Sequence, residues 1–267
     1  MKRILVIDAG LKPAWTTKAA DEVTALLLAT GRMECERVTL RDEQVSPCRG
    51  CAVCLERGEG SCRFREDAAN AILDRMLGAD GIVTVTPVYS LQVPVPLKIL
   101  YDRLAYVFHR PRLFGKPSLA VAVQGVYGGK QVVKYVDSLM AFWGCTPVKG
   151  AVVSGGLYAK SALADAVLKK NKTALERAAA RFSGSVLDFK EKSPSFFRLA
   201  IFRMTRSSMK YSDEALSADR AYYADRGWTE SPYYTGVGMG PHKRAFGALV
   251  DAMMRRMMKG SGKPAAQ

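Results

Sequence analysis

Residues 81–103 read GIVTVTPVYSLQVPVPLKILYDR, and this stretch decides the fold. Gly81–Thr86 is a short apolar run rich in β-branched residues, the pattern of a strand buried on both faces. Val95–Phe108 then reads as a helix entered through Pro94 and Pro96, residues suited to a helix start. The same alternation extends outward in both directions. Lys2–Asp8 (KRILVID) is a strand, Thr16–Thr30 a helix stopped by Gly31, and Cys35–Leu40 a second strand. Glu66–Leu77 is a helix with an apolar face through Ala69, Ile72, Leu73 and Met76. Beyond the decisive stretch come a fourth strand, Ser118–Gln124, a helix, Gly129–Trp143, a fifth strand, Lys149–Ser154, and a long helix, Ser161–Phe182. Strands alternating with helices predict a parallel sheet covered on both faces, with ligand at the carboxyl ends of the strands near the switch point.

The chain has 267 residues, of which 48% are apolar and 24% charged. That is ordinary globular composition and enough chain to bury a core without disulfides. Met1–Gly10 holds two basic residues and only a short apolar run, Ile4–Ile7, which lacks the length of a secretory core. No stretch approaches the ~18 apolar residues of a membrane span. We therefore expect a reducing, cytoplasmic setting, in which six cysteines serve as metal ligands, redox groups or buried thiols.

Cys48, Cys51, Cys54 and Cys62 form C-x2-C-x2-C-x7-C inside the cysteine-rich segment Pro47–Cys62. Three thiolates at three-residue spacing can converge on one small object, and a fourth closes the coordination. A 4Fe-4S cubane needs four outer ligands, so the set suffices. Zinc competes, since it also takes four thiolates, although its usual sites pair two C-x2-C hooks across a longer spacer. Disulfide pairing is disfavoured by compartment. Cys35, in a strand, and Cys145, near a helix end, read as small buried hydrophobes. His109 and His242 sit in no ligand or triad pattern.

With these segments in hand, the chain resembles the iron–sulfur flavoprotein branch of the NADPH-dependent FMN reductase family, within the flavodoxin-like superfamily. The resemblance covers roughly residues 2–155 and rests on three features in order. One is the compact cysteine motif after the second strand. Another is Thr86-Pro87-Val88-Tyr89 leading to Pro94, Leu97-Lys98 and Asp102-Arg103. The third is Gln124-Gly125 followed by Gly128-Gly129. It implies a flavodoxin-like doubly wound sheet whose Thr86–Tyr89 and Gln124–Gly129 segments frame the flavin ring of FMN. The resemblance further implies a 4Fe-4S cluster on the four cysteines, near a flavin of the same or a neighbouring subunit, and NAD(P)H as a donor. The family's first loop is of Gly-Ser-Pro-Arg type and ends in Asn-Thr. Here the corresponding segment runs Asp8-Ala9-Gly10-Leu11-Lys12-Pro13-Ala14-Trp15-Thr16-Thr17. Ala9 replaces the glycine and Gly10 the serine, while Lys12 stands for the arginine and Thr16-Thr17 for the Asn-Thr. A helix start with two hydroxyls and a cation remains a phosphate site. The alternative for Thr16 is that it serves only as a helix N-cap.

After Ser183 the alternation breaks, giving a flavin-binding domain over 1–192 and a basic, mainly helical extension over 193–267. Formal charge is +15, and residues 160–267 hold 20 of the 40 Lys and Arg but 10 of the 25 Asp and Glu. Such a surface suits solubility, an anionic membrane surface, or an acidic redox partner such as ferredoxin. No nucleic-acid motif accompanies it. Ser195–Lys210 is apolar and basic, and is expected to cover a sheet edge, to swap across a homo-oligomer (dimer or tetramer) interface, or to touch a membrane. Ser217–Trp228 reads as a short helix, Ser231–Pro241 as loop, Phe246–Lys259 as a helix, and Gly260–Gln267 as a disordered tail.

The expected function is that of an FMN oxidoreductase or electron-transfer flavoprotein. A quinone or nitro-compound reductase and a zinc-stabilised binding protein are the alternatives.

Overall fold

The β-branched runs become the middle of one sheet because both of their faces can be buried. In the computed structural model, which describes residues 1–155, 164–211 and 216–260, the strands are β1 (Lys2–Asp8), β2 (Met33–Thr39), β3 (Gly81–Pro87), β4 (Pro117–Gln124) and β5 (Thr146–Ser154). All pair in parallel, in the order β2-β1-β3-β4-β5. This is the flavodoxin-like doubly wound order, and its direction reverses between β1 and β3. Every residue of β3 is buried, whereas the edge strands β2 and β5 keep charged or half-exposed positions.

The helices are α1 (Trp15–Leu28), a short α2 (Val53–Glu56), α3 (Ala68–Gly78), α4 (Val95–Arg103), α5 (Gly129–Phe142) and α6 (Ala164–Leu187). One sheet face carries α1 and α6. Ala19, Ala20, Val23 and Leu27 of α1, with Leu175, Ala178, Phe182 and Val186 of α6, pack on Ile4, Val6, Val83, Val85, Leu119 and Val121. α6 runs past Phe182 to Leu187 because Val186 still reaches this core. Gly81 opens β3 under α6: a Cβ there would lie 2.7 Å from the Phe182 ring. The opposite face takes α5, which contacts β4 and β5.

The structure shifts several expected boundaries. β2 begins at Met33 and β5 at Thr146, ahead of the apolar runs in each. The helix expected over Val95–Phe108 ends at Arg103, and a tighter 3-10 turn, Ala105–Phe108, follows and buries Tyr106 and Val107. The cysteine segment holds α2 and a 3-10 turn, Glu59–Ser61. Residues 161–163 of the expected long helix, and the expected tail from 261 onward, lie outside the described residues.

Contacts divide the chain into two units, residues 1–50 with 63–190, and residues 51–62 with 191–267. The second unit contains α2, α7 (Phe196–Tyr211), α8 (Ser217–Asp225) and α9 (Pro241–Gly260). α9 starts at Pro241, earlier than the apolar pattern, because proline fits the first helical position. Asp251 of α9 pairs with Arg203 at 2.5 Å and Arg206 at 2.6 Å, both on α7. Leu199 and Phe202 are buried, and Phe202, Tyr233, Tyr234, Tyr223 and Trp228 pack edge to face. α8 lies against α2, and the Ser217 hydroxyl donates to the Glu56 carbonyl. Among the described residues, no helix is long and apolar enough to cross a membrane.

Candidate functional site

Strand register brings three loops to the carboxyl end of the sheet. Backbone bonds of 2.9 Å fix the first two as they leave their strands, Ala9 N–H to Val85 O and Val88 N–H to Val123 O, and the third is held at its root, where the Gln124 carbonyl accepts the N–H of Gly155 just past β5.

The first loop leads into α1, which has no side-chain cap and no acid in its first turn. Its first N–H groups therefore point to the switch point without an intrahelical acceptor. The helix starts at Trp15 with Ala14 in the cap position, so Thr16 is not the N-cap; it is buried in the first turn. Gly10 sits in a tight place, since a Cβ there would lie 3.0 Å from Asp8 Oδ1 and 3.2 Å from Thr16 Cβ and its neighbours would have to give. Lys12 is exposed. Two residues not singled out from the sequence complete the loop. Asp8 is fully buried; its Oδ1 accepts the Gly10 N–H at 2.9 Å and its Oδ2 accepts the Thr17 hydroxyl at 2.8 Å. Arg41 places Nη1 3.6 Å from Asp8 Oδ2, 3.4 Å from Gly10 O and 3.5 Å from Thr17 Oγ1.

The second loop leaves β3 through buried Thr86, whose hydroxyl donates to the Pro87 carbonyl at 3.1 Å. Tyr89 and Gln92 exchange two backbone bonds of 2.9 Å around Ser90 and Leu91. Those two residues take φ of 49° and 64°, a left-handed pair that costs non-glycine residues about 1–3 kcal/mol each. The turn holds the Tyr89 ring out, 46% exposed. The third loop is pinned by Gln124, whose Oε1 accepts the Gly129 N–H at 2.9 Å. Gly128 has φ of 98°, and a Cβ there would lie 3.0 Å from both Val88 and Leu91, so the second and third loops are packed together. At Gly129 a Cβ would collide with Val152. Gly125 is open to approach. Val126 and Tyr127 project into solvent beside a cleft of about 750 Å³ lined by Gln124, Tyr127, Gly128, Ser154, Lys170 and Asn171. The Asn171 amide brackets Ser154, accepting its N–H at 2.9 Å and donating to its carbonyl at 2.7 Å.

The cysteine segment leaves and rejoins the first unit on a tied stem. Ala68 N–H donates to Gln44 O at 3.0 Å, and Ser46 N–H donates to Asp67 Oδ2 at 2.9 Å. Arg103, nearly buried at the end of α4, donates to the Phe64 carbonyl at 3.0 Å and pairs with Asp67 at 3.1 Å. Arg49 and Arg63 lie over the Phe64 ring. Within the segment, Gly50, Ala52 and Gly58 have positive φ, and the Gly50 N–H points to Cys48 Sγ at 3.4 Å. Cys48 and Cys51 are exposed, Cys54 and Cys62 half-buried, and none of the six cysteines forms a disulfide. Among the described residues, no three His, Cys, Asp or Glu side chains are gathered into a metal-holding group. Cys145 is buried; Cys35 is half-buried, and burial pushes its thiol up while Arg37 pulls it down. On α5, burial raises the Asp137 carboxyl to about 6.

The donor chemistry suits FMN: uncapped helix N–H groups, Thr16 and a nearby arginine for a phosphate, and open glycine backbone with an exposed tyrosine for a planar ring. The four cysteines supply the donor chemistry of a four-thiolate group, and none of them is held in a disulfide.

The five-stranded parallel sheet and its strand order define a flavodoxin-like protein. The chain belongs to the NADPH-dependent FMN reductase family, whose model matches residues 2–159. An iron-sulfur flavoprotein of Archaeoglobus fulgidus is 26% identical over 85% of this chain and all of its own length. Another, of Methanocaldococcus jannaschii, is 33% identical over 48% of this chain and 65% of its own. In fold, the chain is similar to an FMN-dependent NADH-azoreductase of Bacillus anthracis solved with FMN. That likeness has a TM-score of 0.54 at 19% identity, covering 68% of this chain and 99% of the other.

Proposed function

We propose that this chain is an FMN oxidoreductase that carries a 4Fe-4S cluster on Cys48, Cys51, Cys54 and Cys62 and passes electrons between cluster and flavin. The observation that carries the flavin half is the uncapped start of α1 at the β1/β3 switch point. The cysteine spacing and the two relatives named as iron-sulfur flavoproteins support the cluster half. When bound, FMN supplies one- and two-electron chemistry and the cluster single-electron chemistry.

The residues then divide the work. Gly10, Thr16, Thr17, Lys12 and the first N–H groups of α1 hold the phosphate end. Thr86, Pro87, Val88 and Tyr89 on one side, and Gln124, Gly125, Gly128 and Gly129 on the other, bracket the ring. The cysteines act as ligands, and no side chain is asked to be a general acid or base. NAD(P)H or a reduced ferredoxin is the electron partner, the latter favoured by the +15 charge. The exposed rim of Tyr89, Leu91, Val126 and Tyr127 favours pairing with a second copy, in a reducing cytoplasmic setting. Phe197, Leu249 and Met257 are also exposed on the basic extension and leave peripheral membrane contact as a secondary reading.

Purification without oxygen followed by metal, sulfide and flavin analysis tests both halves. About four irons, four sulfides and one FMN per chain are expected. Zinc with neither iron nor flavin would replace this reading with that of a zinc-stabilised binding protein.

A further inference from the structure

The first loop contains a conflict. A phosphate at the start of α1 calls on the Gly10 N–H and the Thr17 hydroxyl, and both already donate to Asp8. That carboxylate is fully buried, so water does not screen it. Its charge is balanced by Arg41, whose Nη1 stands 3.6 Å away. Sheet register explains the meeting: Asp8 pairs with Thr39 across β1 and β2, so Arg41, two residues further on, arrives beside it.

We infer that Asp8 and Arg41 set the selectivity of this subsite, Asp8 opposing a phosphate-bearing flavin and Arg41 admitting it. The inference rests on the flavin reading and deepens it. Asp8 acts by occupying two donors and by placing a like charge beside the incoming dianion. Arg41 acts as the cation the dianion can share once Thr17 is released. Lys12, exposed and without the Asp8 contact, contributes less. FMN and riboflavin differ only in the phosphate, so their affinity ratio isolates this subsite from the ring-binding loops.

The experiment titrates both flavins into the flavin-free full-length chain and follows quenching of flavin fluorescence. Asp8→Asn removes the charge and leaves an oxygen for the Gly10 N–H; Asp8→Ser also vacates the second position. Either variant is expected to bind FMN at least tenfold tighter with riboflavin within twofold of the wild type. Arg41→Gln is expected to weaken FMN at least tenfold, again with riboflavin within twofold. An unchanged FMN-to-riboflavin ratio in all three variants overturns the inference and leaves the flavin reading standing. Weaker FMN binding in Asp8→Asn overturns it too, making Asp8 a support of the loop. If the wild type and every variant take neither flavin, the flavin reading falls and the inference with it.

Discussion

The carboxyl end of the sheet and the cysteine segment are both built from loops, yet the chain holds them in different ways. The first two sheet loops are bonded to a neighbouring strand at Ala9 and Val88, the third is held at the Gln124 carbonyl by the Gly155 N–H, and the second and third are packed together through Gly128. Their positions follow from strand register before any ligand arrives. The cysteine segment is held at its stem, by Ala68 to Gln44 and Ser46 to Asp67, while Cys48 and Cys51 remain exposed. A ligand face on strand ends is preorganised, whereas a thiolate site takes part of its folding energy from the metal it binds. The difference teaches that flavin and metal should be separable by mutation, and the experiments below are ordered by how strongly they press on that separation.

The largest effect belongs to the thiolates. Cys54→Ser is expected to lower iron per chain by more than half while bound FMN stays at the wild-type level, both read on one anaerobic preparation. Parallel loss of flavin would break the comparison, because the sheet face would then depend on the segment. Next comes Arg103→Ala, which leaves Asp67 nearly buried without its arginine and strips the Phe64 carbonyl of a donor. Loss of one partner of a buried pair costs about 3–5 kcal/mol, and the low end applies here because Asp67 keeps the Ser46 and Ala69 N–H donors. Denaturant unfolding should show that loss, and iron should become easier to extract with chelator than in the wild type. A chelation rate that does not change would separate the stem from the metal site. Gly129→Ala is smaller. The added methyl meets Val152 and presses on the Gln124 amide, an overpacking that costs about 1–3 kcal/mol. It should weaken flavin and leave iron content alone, the mirror image of Cys54→Ser.

The same contrast explains what the sequence reveals. β3 and β4 are visible because both faces are buried, so up to Gln124 their residues are apolar or small hydroxyl residues with no charge among them. The start of β2 is hidden because Glu34 and Glu36 alternate outward at the sheet edge. The Pro87–Tyr89 and Gln124–Gly129 segments are legible because each follows a readable strand and carries proline or glycine where the backbone turns. Arg41 is not legible, since only the pairing of β1 with β2 brings it to Asp8, 33 positions away in the chain. Asp8 reads as the last residue of a strand, and nothing in a one-dimensional pattern marks which donors its oxygens will take. The left-handed turn at Ser90-Leu91 is equally hidden, because neither residue is the glycine or asparagine that such a turn favours.

The smallest effect is a pH dependence confined to the preorganised side. Asp137 sits on α5, the helix that Gly129 begins, with Oδ1 buried and lacking a hydrogen bond among the described residues. Burial lifts its carboxyl from 3.8 to about 6 in the folded chain. The folded state therefore holds a proton that the unfolded state has released between those values, and stability falls as pH rises through that window. The penalty is absent below the unfolded value and fully present above about 6. Because the group is only partly buried, its share at pH 7 is about 1 kcal/mol after allowance for solvent screening. Asp137→Asn should remove this slope and stabilise the chain by that amount at pH 7, measured by denaturant unfolding at pH 4 and pH 7. If the sheet face is formed independently of the cysteine segment, the slope should be the same before and after treatment with chelator. A slope that vanishes with the metal would mean that α5 is ordered through the cysteines, and the two regions would have to be treated as one.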